Sequence, residues 1–285
     1  MVVGYQMNRE LPRTLRSLSR DYQRGVAGLD YEVLVIDNGS PDPLPASALD
    51  GLDGRFRLHR IDPASPSPAH AVNLGMAETS GRYVGLIIDG ARMVTPGVVS
   101  TAMRAVQVHP RPIVTTMAWH LGHEHQVFSI PKGYGPQAED ELLEQIEWPG
   151  DGYRLFEISA LAMANPGGFL GPVNESCCLV LPRALWGEVG GVDERFDLAG
   201  GGLVNLDLFS RLVALPDAQL VVMLGEGSFH QVHGGAATKP GVDHTPWHTQ
   251  YQALRGGPYT PPSVDPVYYG ALTQPARRWL TGPPD

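Results

Sequence analysis

An α/β fold with a mostly parallel, doubly wound central sheet flanked by helices is what this 285-residue sequence predicts. Three observations carry that expectation. Two continuous apolar runs of strand length, Glu32–Asp37 and Tyr83–Ile88, have the composition of strands covered on both faces. Strand and helix signals alternate through the first hundred residues. Each of the two apolar runs stops at an aspartate, Asp37 or Asp89, where such sheets place their ligand crevice.

The elements follow in order. Val2–Tyr5 is a short first strand. Leu11, Leu15, Leu18 and Tyr22 recur at helical spacing, with Pro12 inside the first turn. Asn38-Gly39-Ser40 turns the chain after the Glu32–Asp37 strand. A Pro- and Ser-rich loop, Pro63 to Pro68, precedes a helix from about His70 to Glu78. After the Tyr83–Ile88 strand, Thr95 reads as an N-cap with Pro96 at the first helical position. Ile113–Ala118 reads as a strand and Glu139–Ile146 as an acidic helix, followed by a Gly/Pro-rich loop over 148–174. Cys178–Leu181 and Gln219–Leu224 read as strands, and Ala184–Val189 and Asn205–Leu215 as helices. Beyond Gly234 the chain is rich in Pro, Gly and aromatics and is expected to pack as an irregular C-terminal arm.

Composition narrows the function classes. A net charge of −9 argues against non-specific nucleic-acid binding, which needs a basic face. An apolar content of 42% suits a globular core. No apolar run approaches the roughly 18–20 residues that span a bilayer, and no basic stretch with an apolar segment opens the chain. Cys177 and Cys178 are adjacent, so both read as free thiols in a reducing compartment, which points to the cytoplasm.

A carboxylate ending a parallel strand can accept hydrogen bonds from a nucleobase N–H or a ribose hydroxyl. It can equally cap the following turn. Two such acids in one sheet, the second followed by Gly90, favour the ligand reading. Four blocks carry a resemblance: VVGYQMNRELPRTLRSL (Val2–Leu18), VIDNGS (Val35–Ser40), AVNLGMAETSGRYVGLIIDGA (Ala71–Ala91) and GGVDERF (Gly190–Phe196). In this order they resemble the family-2 glycosyltransferases, which have the GT-A fold, over about residues 2–235. The implied organisation is a GT-A domain over 1–235, with a nucleotide-binding half (1–115) and an acceptor-binding half (116–235), plus the arm at 236–285.

The resemblance implies residue roles. Tyr5 and Asp37 would contact the nucleobase, and Asn73 would help shape the nucleotide pocket. Asp89 matches the first acid of the family's DXD motif, and His233 in FHQVHGG matches a late histidine that reaches the diphosphate or its metal. The motif here reads Asp89-Gly90-Ala91, so its last carboxylate is missing. A divalent cation, manganese or magnesium, would then rest on Asp89, a histidine and water, or be absent. Arg92 could place fixed positive charge near the leaving group, or could simply be solvated. Where the family carries a Glu-Asp pair holding the catalytic base, this chain has Val204 and Asn205. Asparagine takes no proton at neutral pH, and Asn205 could serve as a helix cap. Asp207 and Glu175 remain as candidate bases, although Asp207 could instead pair with Arg211 at i+4.

Other side chains invite weighing. His120, His123 and His125 with Glu124 match no common zinc spacing, and an acceptor-site or solvated loop is the simpler reading. His230 and His233 follow a strand and could be a structural pair. Trp148, Tyr153 and Trp247 could stack on sugar rings, or pack in the core.

The family resemblance thus implies transfer from a nucleotide-sugar donor, a UDP-sugar by preference, to a glycan or small-molecule hydroxyl. Inversion and a role in surface polysaccharide or glycoconjugate synthesis are implied with it. The lost motif residues leave a non-catalytic sugar-nucleotide-binding module as the alternative. A dinucleotide-binding dehydrogenase fits poorly, because no Gly-rich phosphate loop follows the first strand. The acceptor would be selected by 116–174 and the tail, and the aromatic tail leaves a homo-oligomer open.

Overall fold

The computed structural model of the protein describes residues 1–175, 177–235 and 241–282. Ser176, next to the candidate base, and the expected arm boundary at Ala236 lie outside them. In chain order the elements are β1 (Val2–Gly4), α1 (Leu11–Leu18), β2 (Glu32–Asp37), β3 (Arg55–Arg60), α2 (Ala69–Ala77), β4 (Tyr83–Leu86), β5 (Arg92–Val94) and α3 (Val98–Ala105). They continue with β6 (Pro112–Leu121), α4 (Gln126–Ser129), α5 (Pro136–Gln145), β7 (Ser159–Leu161), β8 (Leu179–Pro182) and α6 (Arg183–Val189). The last are α7 (Val204–Val213), β9 (Gln219–His230), α8 (Thr245–Arg255) and β10 (Val267–Gly270).

The strands run β3-β2-β1, then β4-β8-β6-β9-β10. A parallel bridge between Val2 and Ile87, just past β4, joins the two parts. β8 runs against its neighbours β4 and β6, and the other pairings on this path are parallel. β5 and β7 add short antiparallel pairs to the far ends of β9 and β6.

Alternation along the strands feeds two cores. Val33, Val35, Val114, Val221 and Met223 face one side, where Leu11 and Leu15 of α1 and Val98 and Ala102 of α3 cover them. Leu34, Ile36, Ile113, Leu220 and Val222 face the other, under α2, α6 and α7. Coverage on both faces explains why β2 reads as an unbroken apolar run. It also makes the sheet a three-layer α/β/α structure.

Several expectations need correction. Thr95 does not cap α3: its hydroxyl donates to Glu226 at 2.5 Å and accepts from the Gly227 amide, while Gly97 holds the cap position. Leu203 holds the cap position of α7, so Asn205 is the second helical residue and not the cap. The tail is more regular than its composition suggests, with an 11-residue helix and a strand added beside β9. Trp279 is buried against Trp119, and its indole donates to Phe156 O at 3.1 Å.

β9 has one irregularity that matters below. Thr115 pairs with Val222 but Met117 pairs with Gly227, so β9 carries extra residues between two stretches in register. Gly225 turns there at φ +77°, and a Cβ would stand 2.1 Å from Ala271 O.

Candidate active site

β2 and β4 flank β1, and all three run in one direction. The register sets Gly4 beside Asp37, so Asp37 and Asp89 arrive at the same, carboxyl, edge of the sheet on either side of β1. Gly90 lets this happen: a Cβ on it would lie 3.0 Å from Val3 O and 3.2 Å from Gly4 Cα. Thr14 of α1 holds the turn by donating to Gly90 O at 2.6 Å.

Both acids divide their oxygens. Asp37 is 2% exposed; its Oδ1 accepts the Ser40 amide at 2.8 Å, and its Oδ2 is enclosed with no partner. Asp89 Oδ1 accepts the Ala91 amide at 3.1 Å, and its Oδ2 faces His230 Nε2 at 2.9 Å and His233 Nε2 at 3.6 Å. The turn-capping and ligand-facing readings therefore both hold, one for each oxygen. Tyr5, just beyond β1, is 42% exposed beside this edge.

Asp89, His230 and His233 bring their ligating atoms within 4.8 Å of one another, a group that could hold a metal ion. His230 and His233 Nε2 are 3.1 Å apart. Gln126 fixes the tautomer of His230. Its amide nitrogen donates to Leu121 O and His230 O, which turns Oε1 toward His230 Nδ1 at 2.8 Å. Nδ1 therefore carries the hydrogen, and Nε2 presents a lone pair to Asp89 whenever the ring is neutral. Metal-binding imidazoles are commonly oriented by such a partner on the other nitrogen.

Charge follows the same pattern. Burial, the largest influence, takes His230 down to about 4 despite Asp89. Burial also opposes charge on His233, but Asp89 more than compensates and raises its pKa. Burial alone would raise Asp89, yet His233 and His230 hold it well below the carboxylate range. Charge is thus favoured on Asp89 and His233 and disfavoured on His230.

Arg92 pairs in register with His230. Its Nε and Nη1 are enclosed without hydrogen-bond partners. Burial opposes its charge, but Cys177, Asp89 and Glu175 nearby hold the guanidinium above its ordinary pKa. Glu175 accepts from Cys177 Sγ at 3.4 Å, and both cysteines are free and buried.

Elsewhere, side chains flagged in the sequence are engaged in packing. Asp207 is buried and accepts from Arg211 Nε (2.8 Å), Arg255 Nε (2.5 Å) and Arg255 Nη2 (2.8 Å). Asn73 donates to Val192 O and Glu194 Oε1 at 2.9 Å and accepts the Val192 amide, so it fastens α2 to the 190–196 loop. A cavity of 540 Å³ lies at the opposite edge of the sheet around Met1, Glu32, Arg55 and Tyr83 and touches neither acid.

The family model described as "Glycosyl transferase family 2" matches residues 2–120. This span holds Tyr5, Asp37, Asn73, Asp89 and Arg92, and it is shorter than the 2–235 over which the resemblance was read. No curated protein sequence matches the chain. Among solved structures, S. aureus TarS in complex with UDP-GlcNAc aligns with TM-score 0.52 at 12% identity, covering 89% of this chain and 64% of that one. A second TarS crystal structure aligns with TM-score 0.51 at 13% identity, covering 81% of this chain and 36% of that one. The chain thus spans less than two thirds of these structures, which share its GT-A architecture.

Within this glycosyltransferase fold, the described structure gathers Asp89, Arg92, His230 and His233, with Glu175 near Arg92. Asn73 and Asp207 are tied into the α2 and α7 packing, and Asn205 is a half-buried residue of α7. His120 is 7% exposed, its Nδ1 is enclosed without a partner, and its ring lies 4.9 Å from His230 and 4.0 Å from His125. His125 caps α4, Glu124 pairs with Lys132 at 2.7 Å, and His123 is exposed. None of these four belongs to the group that could hold a metal ion among the described residues. Trp148 packs on Tyr22, Tyr153 donates to Glu226 at 2.9 Å, and Trp247 stacks on His244 at 4.6 Å. Sequence reasoning missed Gln126, whose part depends on contacts more than a hundred residues away. His230 was weighed with His233, a structural pair being one of the two readings, but was not assigned to the site.

Proposed function

We propose that the protein transfers a sugar from a UDP-sugar to a hydroxyl acceptor, with inversion. The observation that carries this reading is the pair of strand-end acids flanking β1, each with one oxygen turned away from its own turn. Asp37 Oδ2 would accept from a uracil N–H, with Tyr5 against the base. The residues at Asp89 suit a divalent cation: two lone-pair nitrogens and a carboxylate converge, and His230 is oriented from behind by Gln126. When bound, such a cation supplies positive charge to the donor's diphosphate. Arg92, with two unpartnered N–H groups, would stabilise the negative charge developing on the leaving group.

In the transfer, the acceptor oxygen bonds to the anomeric carbon as the bond to the diphosphate oxygen breaks, and the acceptor proton passes to a base. We assign the base to Glu175 in preference to Asp207, whose oxygens already serve two arginines. The TarS complex with UDP-GlcNAc supports uridine as the first nucleoside to test. The product is read as a surface polysaccharide or glycoconjugate made in the cytoplasm, in keeping with two free thiols. The loss of the family's acidic pair at Val204 and Asn205 favours one alternative, a sugar-nucleotide-binding module without turnover.

Turnover of a UDP-sugar panel tests the assignment, with Asp89→Ala expected to lower the rate at least about a hundredfold. Undiminished transfer by that variant removes the donor site from this edge. Calorimetric UDP binding with neither transfer nor donor hydrolysis decides for the binding module.

A further inference from the structure

Glu139, on α5, is a buried carboxylate that the proposed reaction does not use; its side chain is 0% exposed. Its Oε2 accepts the Val232 amide at 2.7 Å, and its Oε1 accepts Arg9 Nη1 at 3.1 Å. The same Arg9 Nη1 also reaches Val232 O at 3.4 Å. One ion pair therefore grips both backbone polar groups of the residue next to His233. Tyr134 donates to Glu139 Oε2 at 3.4 Å, Arg13 lies 3.8 Å from Oε1, and Glu10 and Asp140 share Arg9.

The chain after β9 needs such a grip. β9 ends at His230, so residues 231–233 have no strand ladder to hold them. Gln231 is tied to the Asp89 turn: its amide donates to Ala91 O at 2.8 Å, and its side chain donates to Glu10 O and Thr14 Oγ1. Val232 is tied to Glu139 and Arg9. With both predecessors fixed, the His233 ring has little freedom to leave Asp89. Burial pushes Glu139 up to about 7, while the Val232 amide and Arg9 pull it back; in its ionised form it makes a short, strong bond to the buried amide, and burying that charge requires the Arg9 partner.

We propose that Glu139, through Arg9 and Val232, is a positioning residue that sets His233 against Asp89, and so tunes cation affinity from outside the ligand set. This rests on the cation reading given above. Its test is a Mn²⁺ titration of the full chain, read from the EPR signal of the free ion. Wild type, Glu139→Gln, His233→Ala and the double variant are compared, and melting temperatures are recorded in parallel. Glu139→Gln is expected to weaken Mn²⁺ binding roughly ten- to a hundredfold, as loss of outer partners of metal ligands does. In the His233→Ala background it should have no further effect, because it acts through that ring.

Unchanged affinity in Glu139→Gln overturns the proposal. So does an equal loss with and without His233. Should Glu139→Gln fail to fold, Arg9→Lys replaces it: it keeps the charge but loses the Nη1 that reaches both Glu139 Oε1 and Val232 O, and the Nη2 that holds Pro136 O and Asp140. A wild-type chain that binds no Mn²⁺ overturns the cation reading and this inference with it. A wild-type chain that binds while Glu139→Gln is unaffected overturns this inference alone.

Discussion

At single positions, the chemistry rests on which oxygen of an acid is already engaged. Asp37 keeps Oδ2 enclosed and unpartnered, an arrangement that costs free energy unless a ligand satisfies it. Asp37→Ala should therefore weaken UDP binding roughly ten- to a hundredfold, the scale of a lost hydrogen bond to a charged group. Calorimetry reads this directly, and an unchanged Kd would place the base elsewhere. Acidity bears on the three-residue cluster in one direction. His233 has a raised pKa, so lowering the pH fills its lone pair with a proton, while Asp89 stays ionised. Mn²⁺ affinity should fall on going from about pH 8 to about pH 6, with a proton released on binding. A flat profile would mean that His233 is not a ligand. The two strand-end acids were legible from sequence, because an apolar run broken by Asp is a local signal. For Asp207 the i+4 pairing with Arg211 was legible, but its commitment to Arg255 was not, since that spans 48 positions and depends on where α8 docks.

Among the elements, α8 does more than its Pro- and aromatic-rich surroundings suggested. Arg255, at its end, enters between Asp207 and Asp193, reaching the latter at 2.9 Å. Gln250 donates to Arg195 O and Asp197 Oδ1. The helix is thereby fastened to α7 and to the loop that carries the GGVDERF block. Arg255→Ala leaves buried Asp207 with Arg211 alone, and should cost about 3 kcal/mol in urea unfolding. A loss below about 1 kcal/mol would make the contact incidental. The strands missed from sequence have physical reasons. β3 reads RFRLHR because it is an edge strand with alternate residues exposed. β5 and β7 are three residues each, too short to show a period. The central strands were visible because both of their faces are covered.

For the molecule as a whole, the proposed function requires a net charge of −9 to admit a diphosphate, so attraction would have to come from local features: Arg92, a cation at the Asp89 group and backbone amides. Ligand binding to the folded state adds RT ln(1 + [L]/Kd), about 2.7 kcal/mol at a hundredfold excess. UDP with Mn²⁺ should then raise the melting temperature by roughly 5 °C, given about 2 °C per kcal/mol for a chain of this size. UDP alone should raise it less. Equal shifts with and without the ion would assign the diphosphate to Arg92 unaided.

The extra residues in β9 have a bearing on tolerance to insertion and deletion. Downstream of Gly225, the strand's parity decides that His230 points to the cleft while Phe229 packs on Trp119. Loss of a single codon between 223 and 226 that drags the strand one place along would exchange those two fates. Phenyl would enter the cleft and imidazole the aromatic core. Length variation in this segment should therefore be survivable only in steps that preserve parity, whereas the surface turn at 50–54 faces no such restriction.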